Sequence, residues 1–292
     1  MYIQIIGAGI ISTILTILFS NLIQFTAKKG IVSNLFVNIR GGIPRGVGLA
    51  VLFSLIIFLP SPYNYVIFTM GALAFVDDLA GRRKLRGIPL EIGQLCRGLG
   101  MILVAILGYP FFGYASILIA LMIQPLNISD MQPGSTCSTV IIMLLLVIAL
   151  YLIGGNLNKS LYFIPLITLA VCAGYAPLDY QGKIMMGEVG NHSFAIILGI
   201  IFFLYGGLGG FLILSLTMVA LIAFIRRKNL QNFLEDNLKI KNPTFGDYFM
   251  DVLTGGGLGE LFRKILLGNR KISVKNRILI KMGIRRLFHN SC

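Results

Sequence analysis

The feature that most limits what this chain can become is the recurrence of apolar runs of membrane-spanning length. Such runs, roughly 15–25 residues each, lie near 3–27, 46–60, 63–77, 92–109, 111–126, 139–155, 161–177, 193–207 and 209–225. A bilayer's hydrocarbon core is about 30 Å thick and takes about 20 helical residues to cross. Backbone groups in lipid must find their hydrogen bonds inside the segment, which selects the helix. The expectation is an all-α, polytopic helical bundle of nine spans, with a partly buried tail segment as a tenth element. The second and third runs are short, which draws their loops toward the headgroups. Composition agrees, with 56% hydrophobic and 12% charged residues and a mean hydropathy of +0.85. Soluble domains carry about 25% charged residues.

Charge sets the expected orientation. The net charge of +14 is not spread over a basic face interleaved with aromatics, so nucleic acid is excluded as a partner. The bases gather in alternate loops instead: Lys28, Lys29, Arg40 and Arg45, then Arg82, Arg83, Lys84 and Arg86, then Lys183, then Arg226, Arg227 and Lys228. The connections between them, near 60–62, 109–112 and 205–210, are uncharged, and only Lys159 interrupts the pattern. The positive-inside rule then places the odd loops and the tail in the cytoplasm and the N-terminus outside. A membrane domain over 1–225 and a basic cytoplasmic tail over 226–292 follow, in a multi-pass protein of the cell membrane. Tyr2–Ala27 exceeds a signal-peptide core and lacks a cleavage site, so it reads as a retained span. Cys96, Cys137, Cys172 and Cys292 are far apart without metal-ligand spacing and read as reduced thiols.

Within this apolar chain the acids are placed unevenly. The stretch 75–97, FVDDLAGRRKLRGIPLEIGQLCR, sets Asp77 and Asp78 at the end of an apolar run and a basic cluster just beyond. Ionisable groups at bilayer depth are costly and point to function. Carboxylates beside cations suit a divalent metal and phosphate oxygens. The plainer reading is a loop whose bases only fix topology and whose aspartates are solvated. Three further polar segments fall on the same expected side: NIRGGIPRGVG (38–48), NISDMQPGS (127–135) and KIMMGEVGNHS (183–193). Shared sidedness favours one site over four unrelated loops.

Together these segments resemble the polyprenyl-phosphate N-acetylhexosamine-1-phosphate transferases, over roughly residues 35–200. IPRGVGLA is similar to that family's P-R-x-G-G-L-A, and FVDDLAG with IGQL to its D-D segment and downstream G-Q. NISDMQPG is similar to N-x-x-D-G-x-D-G, and KIMMGEVGNHS to K-x-F-M-G-D-x-G-S. The chain departs from the pattern at Met131, at Pro133 and at Glu188, which stands where the family has aspartate. It also lacks the family's histidine motif, having only His192 and His289. These departures mark a divergent branch.

The resemblance implies transfer of a sugar-1-phosphate from a UDP-sugar to a polyprenyl phosphate with release of UMP. It implies magnesium, with manganese as the alternative ion, and a homodimer as a further expectation. Among the residues, Asp77 would orient or deprotonate the lipid phosphate, and Asp78 and Glu188 would hold the metal. Asp130 and Asn127 would serve the nucleotide or the metal network. Lys183, Arg45, Arg82, Arg83, Lys84 and Arg86 would contact phosphates, with topology and headgroup binding as the other reading of these bases. Arg45 and Arg97 either pair with a site carboxylate or snorkel. His192 is expected to hydrogen-bond beside the site rather than to act as a ligand.

Two other functions are compatible with these residues. One is a paralogue that binds a polyprenyl phosphate or regulates envelope assembly without catalysis. The other is a transporter or lipid flippase, disfavoured because the uncharged outer connections and the clustering of polar residues on one side give no alternating-access path. In the tail, TGGGLGE (254–260) lacks the lysine of a phosphate-binding loop and reads as a hinge. The segment 272–288 reads as an interfacial helix or a partner-binding tail.

Overall fold

The computed structural model describes residues 2–30, 34–38, 42–81, 83, 91–130, 132–154, 162–255, 259, 263, 265, 274 and 276–288. Arg82, Lys84, Arg86, His289 and most of the 254–260 run lie outside the described residues. Among the described residues the fold is all-α apart from one small hairpin. Helices α1 (Tyr2–Lys28), α2 (Leu49–Phe58), α3 (Tyr63–Ala80) and α4 (Ile92–Phe112) open the chain. The hairpin, β1 (Phe36–Val37) and β2 (Ile43–Pro44), lies between α1 and α2. Then come α5 (Ala115–Leu121), α6 (Ile123–Ser129), α7 (Ser135–Gly154), α8 (Phe163–Tyr180) and α9 (Gly187–Ile225). The tail holds α10 (Arg227–Asp236), α11 (Phe245–Thr254), α12 (Arg277–Lys281) and α13 (Ile284–Phe288). Among the described residues five helices, α1, α4, α7, α8 and α9, are long and apolar enough to cross a membrane.

Helix α9 is a folded pair rather than one rod. Gly207 has φ 57° and ψ −158°, close to the backbone of Gly81 and Gly113, which end α3 and α4. Met122 supplies an independent test. Its sulfur accepts from Ser215 Oγ at 3.3 Å, and a Cβ on Gly199 would meet its Cγ at 3.1 Å. A straight helix would hold residues 199 and 215 about 24 Å apart, beyond the reach of one methionine. The chain therefore reverses at the glycine-rich turn, giving arms 187–206 and 208–225. Both free ends of this hairpin return to the end of α6: Asn127 meets Glu188, and Arg226 donates to the Ile128 carbonyl.

Small residues set the closest helix contacts, as expected where lipid removes the hydrophobic drive between helices. Ser12 Oγ donates to the Val171 carbonyl at 2.8 Å, and a Cβ on Gly174 would lie 2.5 Å from the Gly9 carbonyl oxygen. Between α2 and the start of α9, a Cβ on Gly48 would stand 2.5 Å from Gly190 Cα. The apolar residues of α1 that point outward, Ile3, Ile6, Ile10 and Ile14, are more than half exposed, the pattern of a helix facing lipid.

The tail is docked onto the bundle. Val252 joins the main core and Tyr248 and Phe249 pack against it. Arg285 and Arg286, expected to face headgroups, turn inward to Asp247 and Asp251. Those aspartates lie four residues apart on one face of α11, so two arginines on consecutive positions can reach both. Ile278, Leu279 and Met282 remain exposed beside them.

The packing makes a prediction. Gly48→Val drives a side chain into α9 and should cost about 1–3 kcal/mol, read as a lower thermal unfolding midpoint in detergent. Gly209→Ala, with nothing within 4 Å of the added carbon, should leave the midpoint unchanged. Equal midpoints for both variants would remove the close α2–α9 contact.

Candidate functional site

The four polar segments meet at one end of the bundle. The PRG turn approaches the start of α9 through the backbone: Met185 N–H donates to the Pro44 carbonyl at 2.9 Å, and Gly48 N–H donates to the Met186 carbonyl at 3.0 Å. Beside them Asp78, on the last turn of α3, accepts from Glu188 N–H at 3.1 Å and from Val189 N–H at 3.0 Å. These are the second and third residues of α9, whose N–H groups have no partner within their own helix. An aspartate normally caps its own helix; here it caps one 110 residues away in the chain, with its charge at the positive end of that helix.

The motif glycines are explained by this approach. Gly46 and Gly187 have φ of 79° and 71°, a region open mainly to glycine. A Cβ on Gly187 would stand 2.6 Å from Asp78 Oδ2 and 2.9 Å from Gly46 Cα. In the IGQL stretch, a Cβ on Gly93 would sit 1.8 Å from Asp77 Oδ1. Gln94 and Glu91 form the box that caps α4. Gly134 donates its N–H to Asp179 Oδ2 at 3.2 Å, tying the 127–135 segment to α8.

Side chains close the arrangement into a ring. Arg45 Nε lies 3.3 Å from Asp78 Oδ1, and its Nη2 lies 3.7 Å from Glu188 Oε1. Arg97 Nε lies 3.1 Å from Asp77 Oδ2. Asn127 spans the two halves. With its amide oriented by its neighbours, its nitrogen donates to Glu188 Oε2 at 2.9 Å and its oxygen accepts from Arg97 Nη1 at 3.2 Å. The path Asp77–Arg97–Asn127–Glu188–Arg45–Asp78 returns to its start through one peptide bond. His192 Nε2 stands 3.2 Å from Glu188 Oε2, one turn along α9. Behind the ring, Ser129 and Thr136 hydroxyls lie 2.7 Å apart, and Thr136 donates to Asn191 Oδ1 at 3.2 Å.

Asp130 stands apart from these pairs. Among the described residues it has no ion pair or hydrogen bond, and it lies in the field of Asp179, Glu188 and Asp78. Removal from water, then those three charges, push its carboxyl well above the ordinary carboxylate range, with Arg45 pulling the other way. A cation arriving there would favour its ionised form. An unpaired carboxyl in the field of Glu188 is donor chemistry that fits a hard divalent ion. Among the described residues, no three acidic, histidine or cysteine side chains close around one point. Phosphate oxygens of a substrate are the usual remaining ligands of magnesium.

The expected residues are thus placed unequally. Asp77, Asp78, Glu188, Asn127, Arg45 and His192 come together, with Asp130 in their field. Lys183 does not join them: it lines a separate cleft against α1. The Arg83 side chain is exposed, while its carbonyl accepts from Ile92 N–H at 3.0 Å. Arg97 resolves to the pairing alternative, and Asp179 is a further participant. Arg97 carried a legible signal as the only charged residue in the run 92–109.

No protein-family model matches this chain, and no curated protein sequence matches it.

Breaking the ring should be costly. Arg97→Met leaves Asp77 without its partner in a buried setting, and should lower stability by about 3–5 kcal/mol. Arg83→Met, on an exposed side chain, should change it by about 0.5 kcal/mol or less. Chemical or thermal unfolding of both variants makes the comparison, and similar values would take Arg97 out of the network.

Proposed function

We propose that this chain is an integral membrane transferase that moves a sugar-1-phosphate from a UDP-sugar to a polyprenyl phosphate, releasing UMP. The observation that carries the reading is the ring itself. Segments 38–48, 75–97, 127–135 and 183–193, the four that resemble the transferase family, meet around shared carboxylates and cations. In this reading the site faces the cytoplasm, the bundle crosses the cell membrane nine times with its N-terminus outside, and the protein works as a homodimer.

The chemistry asks two polyanions to approach. A lipid phosphate oxygen attacks the β-phosphorus of the UDP-sugar, the bond from that phosphorus to the UMP oxygen breaks, and the polyprenyl-diphospho-sugar forms. Bound magnesium supplies neutralisation of the diphosphate charge; Asp130 and Glu188 would hold it, with Asp78 beside them. Arg45 and Arg97 are fixed cations already at the site, so they can exchange a carboxylate for a phosphate oxygen without being recruited from water. Asp77, held by Arg97, would orient the lipid phosphate. That phosphate is largely ionised near neutral pH, so positioning matters more than proton removal. Glu188 reaches one methylene further than aspartate, and that reach brings it to Asn127 and His192 together.

A second reading draws on the same ring. Asp77 is paired with Arg97, and Asp78 and Glu188 share Arg45, so two guanidinium groups balance most of the acidic charge without a metal. A lipid-binding paralogue without catalysis would have this property.

The test is a transfer assay with purified protein, magnesium, undecaprenyl phosphate and a panel of UDP-sugars, following UMP. UMP release with a particular donor, abolished by chelation and lowered about a hundredfold or more in Glu188→Gln, is the expected result. Folded protein that binds the lipid but releases no UMP with any donor would establish the second reading instead.

A further inference from the structure

A cleft lies beside α1, and none of the ring side chains lines it. It has a volume of about 520 Å³ and is lined by Ser20, Asn21 and Gln24 of α1, by Gln181 and Lys183 after α8, and by Ile43 of β2. None of Asp77, Asp78, Asp130 or Glu188 lines it. Helices α1 and α8 touch closely at Gly9 and Gly174, whereas around residues 17–24 they border this opening. Helix α1 also carries an apolar, outward-facing side. Three polar residues on one stretch of such a helix need a polar partner. Across the cleft, the Lys183 ammonium has no ion-pair or hydrogen-bond partner among the described residues. Among the described residues it is the only charged side chain in the lining.

We propose that this cleft binds the headgroup of an anionic phospholipid, with Lys183 on the phosphodiester and the amides of Asn21, Gln24 and Gln181 on headgroup hydroxyls. One ammonium matches the single negative charge of a phosphodiester, as a point charge. Carboxamides donate and accept together, which suits hydroxyls. The acyl chains would continue along the exposed face of α1 past Ile17 and Ile14. The volume lies within the range of small-ligand sites, about 300–1,000 Å³.

The proposal does not depend on the transfer reaction, and its test reads binding alone. Native mass spectrometry of the full chain, released from detergent, is titrated separately with phosphatidylglycerol, phosphatidylcholine and undecaprenyl phosphate. Phosphatidylglycerol should be retained about tenfold better than phosphatidylcholine, and Lys183→Gln should remove that preference. Gln24→Leu should weaken phosphatidylglycerol binding without altering charge, and it carries the test if Lys183→Gln does not fold. Equal retention of the two phospholipids, or wild-type behaviour of both variants, would overturn the assignment. Displacement of phosphatidylglycerol by undecaprenyl phosphate in a Lys183-dependent manner would overturn it too, by giving the cleft to the carrier lipid.

Discussion

The arrangement depends on one contact, the carboxylate of Asp78 on the first turn of α9. A buried carboxylate loses its hydration on leaving water and must recover it from fixed donors. Here two backbone N–H groups and Arg45 supply them. The same contact satisfies two of the orphan donors at the start of a helix. Each partner solves the other's problem, and the end of α3 and the start of α9 are fixed relative to each other as a result. Glu188, the next acid, is then placed by its backbone rather than by a flexible loop.

That placement requires backbone to approach backbone. Gly46, Gly48, Gly187 and Gly190 form a contact in which each added Cβ would meet main-chain atoms or the Asp78 carboxylate at under 3 Å, apart from Gly46, whose constraint is its positive φ. The hairpin of α9 brings a further consequence. Because both its ends return to α6, the segment carrying Asn127 and Asp130 is held from two sides, by Glu188 and by Arg226. Arg226 also lies in the fields of both Asp130 and Asp251.

Much of this was legible in the sequence, for a physical reason. In a chain with so few charges, an acid at the end of an apolar run is expensive enough to demand a partner, which singled out Asp77 and Asp78, while Glu188 was reached through the resemblance of segment 183–193 to a family motif. The reversal at 206–210 was visible as a glycine cluster between two apolar runs. What the sequence withheld was side-chain direction. Lys183 follows Gly182, whose φ of 64° turns the chain, and the lysine faces the α1 cleft instead of the ring. The Ser129–Thr136–Asn191 contacts join ordinary polar residues from three segments, and no spacing marks them. In the tail, the alternation of basic and apolar residues over 272–288 matched a membrane-surface helix, yet Asp247 and Asp251 draw two of its arginines inward. The number of membrane crossings is a matter of length: α2, at 10 residues, reaches about 15 Å, half of a bilayer core.

The ring holds its carboxylates with cations that a polyphosphate could take over, and on the proposed reading the chemistry turns on that exchange. It is tested most directly by electron paramagnetic resonance of manganese in the purified protein, titrated with and without a UDP-sugar. The account predicts that the nucleotide sugar brings about one bound manganese per chain, because substrate phosphates complete the ligand set and release Glu188 from Arg45, and that Glu188→Gln loses this bound ion. A manganese signal that no UDP-sugar changes, in folded protein, would contradict it.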